Sequence, residues 1–249
     1  MARFVTGKPL NGNRLLAGLP RPDYRRLLPR LDPVPLSVGD VLYEPDEPQS
    51  HLYFPTTSVV SLVYTMKDGA TGEMGVVGRD GVVGMALFMG GGTRPDRALV
   101  QIGGEALRLS AKALRSELRR SDALETLLLR YTQALLTQIS QTAVCNCLHP
   151  LEQRLCRWLL LCDDRAGPGE LALTHVLLGA MLGVRRETVT AAARKLRAAK
   201  LIGYKRGRIA VIDRRGLESR VCECYEVVRR ETDRLLGNDR ASPRALLPL

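Results

Sequence analysis

The chain has 249 residues, 37 Lys and Arg against 26 Asp and Glu, a formal net charge of +11, and 45% hydrophobic residues. This much apolar material excludes whole-chain disorder, and the length favours two domains over one. The excess of positive charge points to a polyanionic partner without saying which one.

Residues 1–35 carry short apolar pieces broken by Pro20, Pro22, Pro29, Pro33 and Pro35. That leaves room for brief helices, such as one over 24–28, in a lead-in segment. The opening MARFVTGKPLNGNR is basic but has no apolar stretch of the kind an export signal uses, so the expected location is cytoplasmic. From 36 to 120 the pattern changes to short β-rich runs at 41–44, 51–54, 58–66, 73–77, 97–102 and 105–110. Gly39-Asp40, Asp68-Gly69, Asp80-Gly81 and Gly90-Gly91-Gly92 punctuate them. Many short strands with turn residues at this spacing predict an antiparallel jelly roll, and the helical segments around it make the chain α+β.

The period becomes helical after Ser110, with a short helix over 111–120 and a long, almost uncharged one from Asp122. The charge-free run 131–151 is no membrane span, because Gln133, Thr137, Gln138, Ser140, Gln141, Thr142 and Asn146 would leave amides and hydroxyls in hydrocarbon. A long apolar helix between two domains calls for a partner. Leu128, Leu135, Ile139 and Thr142 are the expected seam of a homodimer across 121–149. Pro150 suits the first turn of the next helix, which makes 146–150 a hinge. A second domain is expected over 150–236, with a C-terminal helix, followed by a tail at 237–249.

Between 185 and 208 there are nine basic residues and one acidic residue, so this stretch alone carries +8. Just before it Thr174 is a good N-cap, Val176, Leu177, Ala180 and Met181 give an apolar face, and Gly183 permits a tight turn. A second helix then begins near Arg186, with Val189, Ala192, Ala193 and Leu196 at helical spacing. This is a helix-turn-helix, and 201–213 supplies two strands around Lys205-Arg206-Gly207, the wing of a winged helix. A helix of this kind fits the major groove of double-stranded DNA, where Arg pairs with guanine and Glu accepts from cytosine. The candidate DNA-binding residues are Thr174, Arg185, Arg186, Glu187, Thr188, Thr190, Arg194, Arg197, Lys205, Arg206 and Arg208. Arg194, Arg197 and the wing cations would contact phosphates.

A β-rich domain, a long linking helix and a winged helix with the string G-V-R-R-E-T-V resemble the Crp/Fnr family of bacterial transcription regulators. The most specific part is T-x4-G-x3-G-x2-R-E-T-V, carried by Thr174, Gly179, Gly183, Arg186, Glu187, Thr188 and Val189. The resemblance implies base reading by Arg186 and Glu187, and RNA polymerase as a further partner. A second family Arg, four residues after the Glu, is Ala191 here, which implies a different recognised site. The positions that correspond to the family's nucleotide site are Gly84, Met85, Arg97 and Ala98, with Ser140 on the long helix. Met85 stands where a Glu would accept the ribose hydroxyl, and Ala98 where a Ser would help hold the phosphate. Loss of a buried charged acceptor costs about 2 kcal/mol or more, so no cyclic nucleotide is expected.

All six cysteines lie at or after position 145, and oxygen-sensing relatives place cluster ligands near the N-terminus, so that site does not transfer. A C-x-C pair within a helix points its sulfurs about 200° apart, a poor chelate unless the helix ends there. Cys145, Cys147, Cys222 and Cys224 are therefore expected to be inert thiols, and no metal or other cofactor is expected. With three scattered histidines and no nucleophile, nucleotide-loop or dinucleotide motif, the chain does not read as an enzyme. The leading expectation is a homodimeric, sequence-specific DNA-binding regulator whose β-domain senses a signal. The alternative is a ligand-independent, weakly specific architectural protein.

Overall fold

The computed structural model describes residues 12–120, 122–167, 170–205 and 207–237. Two short helices, α1 (Arg14–Ala17) and α2 (Arg21–Leu27), precede strands β1 (Asp32–Leu36), β2 (Val41–Tyr43), β3 (His51–Pro55), β4 (Val59–Thr65) and β5 (Thr71–Val77). Helix α3 (Ala86–Met89), strands β6 (Arg97–Ile102) and β7 (Gly104–Ser110) and helix α4 (Ala111–Leu118) complete the first domain. Helix α5 (Asp122–Leu148) leads to α6 (Leu151–Ala166), β8 (Glu170–Ala172), α7 (His175–Leu182), α8 (Arg186–Ala198), β9 (Ile202–Lys205), β10 (Arg208–Val211), α9 (Arg214–Glu218) and α10 (Cys224–Leu236).

The first domain is two antiparallel sheets face to face, ordered β1-β7-β3 and β2-β6-β4-β5. Leu52, Phe54, Leu62, Val77, Val100, Leu107 and Leu109 fill the space between them. The segment expected as a lead-in belongs to this domain. Leu15, Leu16 and Leu27 are buried in the same core, and the Asn13 amide donates to the carbonyls of Pro55 and Gly81 at 2.8 and 2.9 Å. Pro33 and Pro35 lie inside β1 despite lacking an N–H. The strand is at a sheet edge with only β7 beside it, the place where proline costs least.

Helix α5 packs Leu124, Leu128, Tyr131 and Leu135 into the β-domain core. Leu128 and Leu135, expected at a seam between copies, are thus occupied within their own chain. Ile139 is half-buried against that core, and Thr142 donates to the Gln138 carbonyl and accepts from Arg157. The apolar residues of α5 left exposed are shifted around the helix: Leu129 (55%), Leu136 (57%), Val144 (45%) and Leu148 (74%). Helix α10 runs antiparallel along α5, with Gln133 meeting Glu231 near one end and Cys145 meeting Cys222 near the other.

In the second domain, Leu155, Leu159, Leu178, Val189, Leu196 and Ile209 form the core beneath the three-stranded sheet β8-β10-β9. The wing therefore has a third strand, β8, beyond the two expected. This core continues onto the outer side of the first domain through Val59, Val63, Val76 and Ile102. At that junction Glu73 of β5 is buried and accepts hydrogen bonds from Trp158 Nε1 (2.7 Å) and Ser61 Oγ (2.5 Å). Burial pushes the Glu73 carboxyl up to about 7, against the two hydrogen bonds and the nearby Arg157 and Arg165, which draw it down.

Candidate nucleic-acid interface

Thr174 caps α7, its hydroxyl accepting from the Leu177 N–H at 3.2 Å. The helix stops at Gly183, which sits in the left-handed region (φ 62°), and the Val184 N–H then bonds to the Gly179 carbonyl at 2.9 Å. This turn brings backbone onto backbone. A Cβ added at Gly179 would lie 2.8 Å from the Val184 oxygen, so the two glycines of the motif have separate duties, one conformational and one steric.

Helix α8 buries Val189, Ala192, Ala193 and Leu196. The opposite line, at spacings of four, three and four residues, is Glu187, Ala191, Arg194 and Ala198, all exposed. Arg185, Arg186, Thr188 and Arg197 are also exposed, as are Lys205 and Arg208 on the paired wing strands. Arg206 lies outside the described residues. Thr190 departs from expectation: it is half-buried and its hydroxyl donates to the Arg186 carbonyl at 2.9 Å. With that proton spent, the 2.9 Å contact to His175 is a bond donated by imidazole Nδ1–H. Burial, followed by the charges of Arg186 and Arg194, holds His175 below its ordinary pKa, and the ring stacks on Tyr204 at 4.4 Å. Thr190 therefore ties α8 to α7 and, through His175, to the wing. His175 was not singled out in the sequence because its partners lie 15 and 29 residues away.

The positions that correspond to a nucleotide site are filled from within. Met85 and Ala98 are buried in the β-domain core, and Gly84 (φ 107°) approaches the His51 carbonyl so closely that a Cβ there would lie 2.5 Å from it. Arg97 is paired with Glu44 at 2.7 Å, and Arg94 with the fully buried Asp96 at 2.6 Å, which also accepts from Tyr43 at 2.8 Å. Both arginines are thus paired with the protein's own carboxylates. Ser140 is exposed on α5, on the same side as Leu136 and Val144.

One group of side chains among the described residues has the donor types and closeness of a metal site: Cys145, His149, Cys222 and Cys224. The objection to a C-x-C chelate holds for Cys147, which is exposed, but not for Cys222 and Cys224, which stand where α10 begins. Cys156 and Cys162 are buried in the second-domain core. Burial pushes the Cys156 thiol up to about 12 and Cys162 well above its ordinary value, which disfavours the thiolate at both.

Residues 33–121 match the cyclic nucleotide-binding domain and residues 153–220 the Crp-like helix-turn-helix domain. The fold is similar to that of FixK2 from Bradyrhizobium japonicum, with a TM-score of 0.66 and 20% identity over 77% of this chain and 98% of that one. A Crp/Fnr-family transcriptional regulator from Eubacterium rectale gives 0.63 and 15% over 84% and 98%, and one from Thermus thermophilus gives 0.61 and 24% over 78% and 98%. No curated protein sequence matches the chain. A cyclic-nucleotide-binding-type β-domain joined by a long helix to a winged helix-turn-helix defines a DNA-binding transcription regulator, not an enzyme. The chain belongs to the Crp/Fnr family.

Proposed function

We propose that the protein acts in the cytoplasm as a homodimer that reads a pseudo-palindromic DNA site and passes the result to RNA polymerase. The observation that carries this reading is the outward face of α8, where Arg186 and Glu187 stand exposed at the helix start with Arg194 further along. In this assignment Arg186 and Glu187 read bases, while Arg197, Lys205 and Arg208 hold phosphates. Ala191, small and central on that face, leaves the contact between Glu187 and Arg194 to a base the side chains do not crowd. Two such surfaces meet successive major grooves about 34 Å apart only if the two chains are held in register. The exposed stripe of Leu129, Leu136 and Val144 on α5 supports a helix-to-helix seam with a second copy. The filled region around Met85 and Ala98 supports a signal other than a conventionally bound cyclic nucleotide.

The test is competition binding of the full chain to genomic fragments against random DNA at fixed salt. A specificity ratio of about 1000 or more is expected, and equal affinity for all sequences would leave only the architectural alternative. Arg186→Ala should cost about 1–3 kcal/mol of discrimination at one base pair, whereas Lys205→Ala should weaken all DNA alike and reduce the salt slope by about one. If the two variants behave alike, the groove assignment is wrong.

A further inference from the structure

We propose that Cys145, His149, Cys222 and Cys224 form a tetrahedral zinc site that fastens the hinge between α5 and the DNA-binding domain. Each residue offers one ligand atom, and the four lie within 4.8 Å of one another. Cys145 Sγ is 3.5 Å from Cys222 Sγ, and Cys224 Sγ is 3.6 Å from His149 Nδ1. Zinc bonds of about 2.3 Å to sulfur and 2.0–2.1 Å to nitrogen place neighbouring sulfurs about 3.8 Å apart and sulfur and nitrogen about 3.6 Å apart. Two edges of the cage are therefore near their metal-bound length, and none of the others exceeds 4.8 Å. A polynuclear iron–sulfur cluster, whose protein thiolates are distributed over several sulfide-bridged irons, spreads them further than this.

Local structure explains the convergence. Cys145 and His149 are four residues apart at the end of α5 and so share a face, while Cys147 is turned away and exposed. Cys222 and Cys224 flank Glu223, the residue that opens α10, so no continuous helix forces their sulfurs apart. All three cysteines are buried, yet they join neither large core; they form a separate small cluster with the partly buried Val221 against it. Cysteines that serve as small hydrophobes, such as Cys156 and Cys162, merge into a core instead. His149 also has the outer partner that metal-bound imidazoles use, its Nε2 lying 3.4 Å from Glu223 Oε1.

Binding balances as one Zn2+ and three thiols plus a neutral imidazole giving a complex of charge −1 and three released protons. Arg157, whose positive charge reaches the Cys145 thiol, offsets that charge. Two ligands come before Pro150 and two from after the winged helix, so the metal would span the hinge and fix the angle at which α8 is presented. Only this consequence for DNA rests on the regulator reading; the metal site itself does not.

The experiment uses the full chain, reduced, stripped by chelator and titrated with Zn2+ and with Co2+. One Zn2+ per chain is expected, and Co2+ should give a thiolate charge-transfer band with the intense visible bands of a tetrahedral centre. Cys222→Ser should weaken zinc binding by more than the roughly 10–100-fold that loss of an outer partner costs, Glu223→Gln by about 10-fold at most, and Cys147→Ser not at all. Circular dichroism and Trp158 emission of the apo proteins establish that each variant is folded. Less than one zinc per chain, iron in its place, a Cys145–Cys222 disulfide in protein isolated without reductant, or equal loss in Cys147→Ser would overturn the site. Full zinc occupancy with identical DNA affinity in apo and loaded protein would overturn the coupling alone.

Discussion

Glu73→Gln should make the protein more stable at pH 8 and leave it unchanged below about pH 4.5. The Glu73 carboxyl moves from an ordinary 4.5 to about 7 on folding, chiefly because it is buried. At about 1.4 kcal/mol per tenfold change, that difference amounts to roughly 3 kcal/mol. The folded protein binds this proton more tightly than the unfolded chain does. The penalty is therefore absent below pH 4.5, grows as pH rises to about 7, and is constant above that. Gln removes the penalty and keeps the contacts: its oxygen accepts from Trp158 Nε1, and its amide donates to Ser61 Oγ. The assay is urea unfolding between pH 4 and 8.5, followed by emission of Trp158, the one tryptophan of the chain. A gain of about 2–3 kcal/mol at pH 8 that disappears in acid is the expected result. Parallel pH profiles, or a variant less stable at pH 8, would show that Arg157 and Arg165 stabilise an ionised Glu73 at least as much as burial disfavours it.

Gly179→Ala should cost about 1–3 kcal/mol and reduce DNA affinity, because the new methyl meets the Val184 carbonyl and not a side chain that can move aside; thermal unfolding with a binding titration checks this. Thr190→Val, which keeps volume and loses the bonds to Arg186 and His175, should destabilise the second domain by about 1–2 kcal/mol in the same assay. Leu136→Lys should give a folded monomer by sedimentation, whereas Leu128→Lys, which buries an ammonium in the β-domain core, should unfold that domain. A folded monomer from Leu128→Lys and a dimer from Leu136→Lys would return the seam to the stripe that sequence spacing suggests.

Much of the fold is legible because its signals are local. The run 97–102 is bounded by a turn cluster before it and Gly103 after it, and β6 spans those same residues. The helix-turn-helix declares itself through Thr174, Gly179 and Gly183, each of which has a nearby backbone partner. Where the deciding contact is distant, the pattern misleads. Pro33 and Pro35 argue against a strand until β1 is known to lie at an edge, and Leu15 and Leu16 look like isolated apolar residues until α1 is seen closing the β-domain core. On α5 apolar residues occur nearly all round, so spacing alone does not separate the stripe that packs on its own domain from the one left exposed. The metal-ligating group is hidden for a related reason: Cys145 and Cys222 are 77 residues apart, and a helix assumed to run through Cys222 and Cys224 sends their sulfurs in opposite directions.

These positions also constrain how a signal in the β-domain would reach DNA. Beside the apolar core shared across the junction, two polar attachments tie the part of the chain beyond Pro150 to the part before it: Trp158 to Glu73 of β5, and Cys222 and Cys224 to the end of α5. A rotation of α8 about the hinge keeps both attachments only if they lie on the axis of rotation; otherwise one must open. The first attachment rests on a carboxyl whose charge changes near neutrality, the second on thiols whose geometry suits a divalent ion. Proton and metal would then act on the same rigid-body motion through different anchors, and their effects on DNA affinity should be non-additive. A double variant, Glu73→Gln with Cys222→Ser, tests this directly. Effects on DNA affinity that sum to within about 0.3–0.5 kcal/mol would mean that the two anchors govern separate motions.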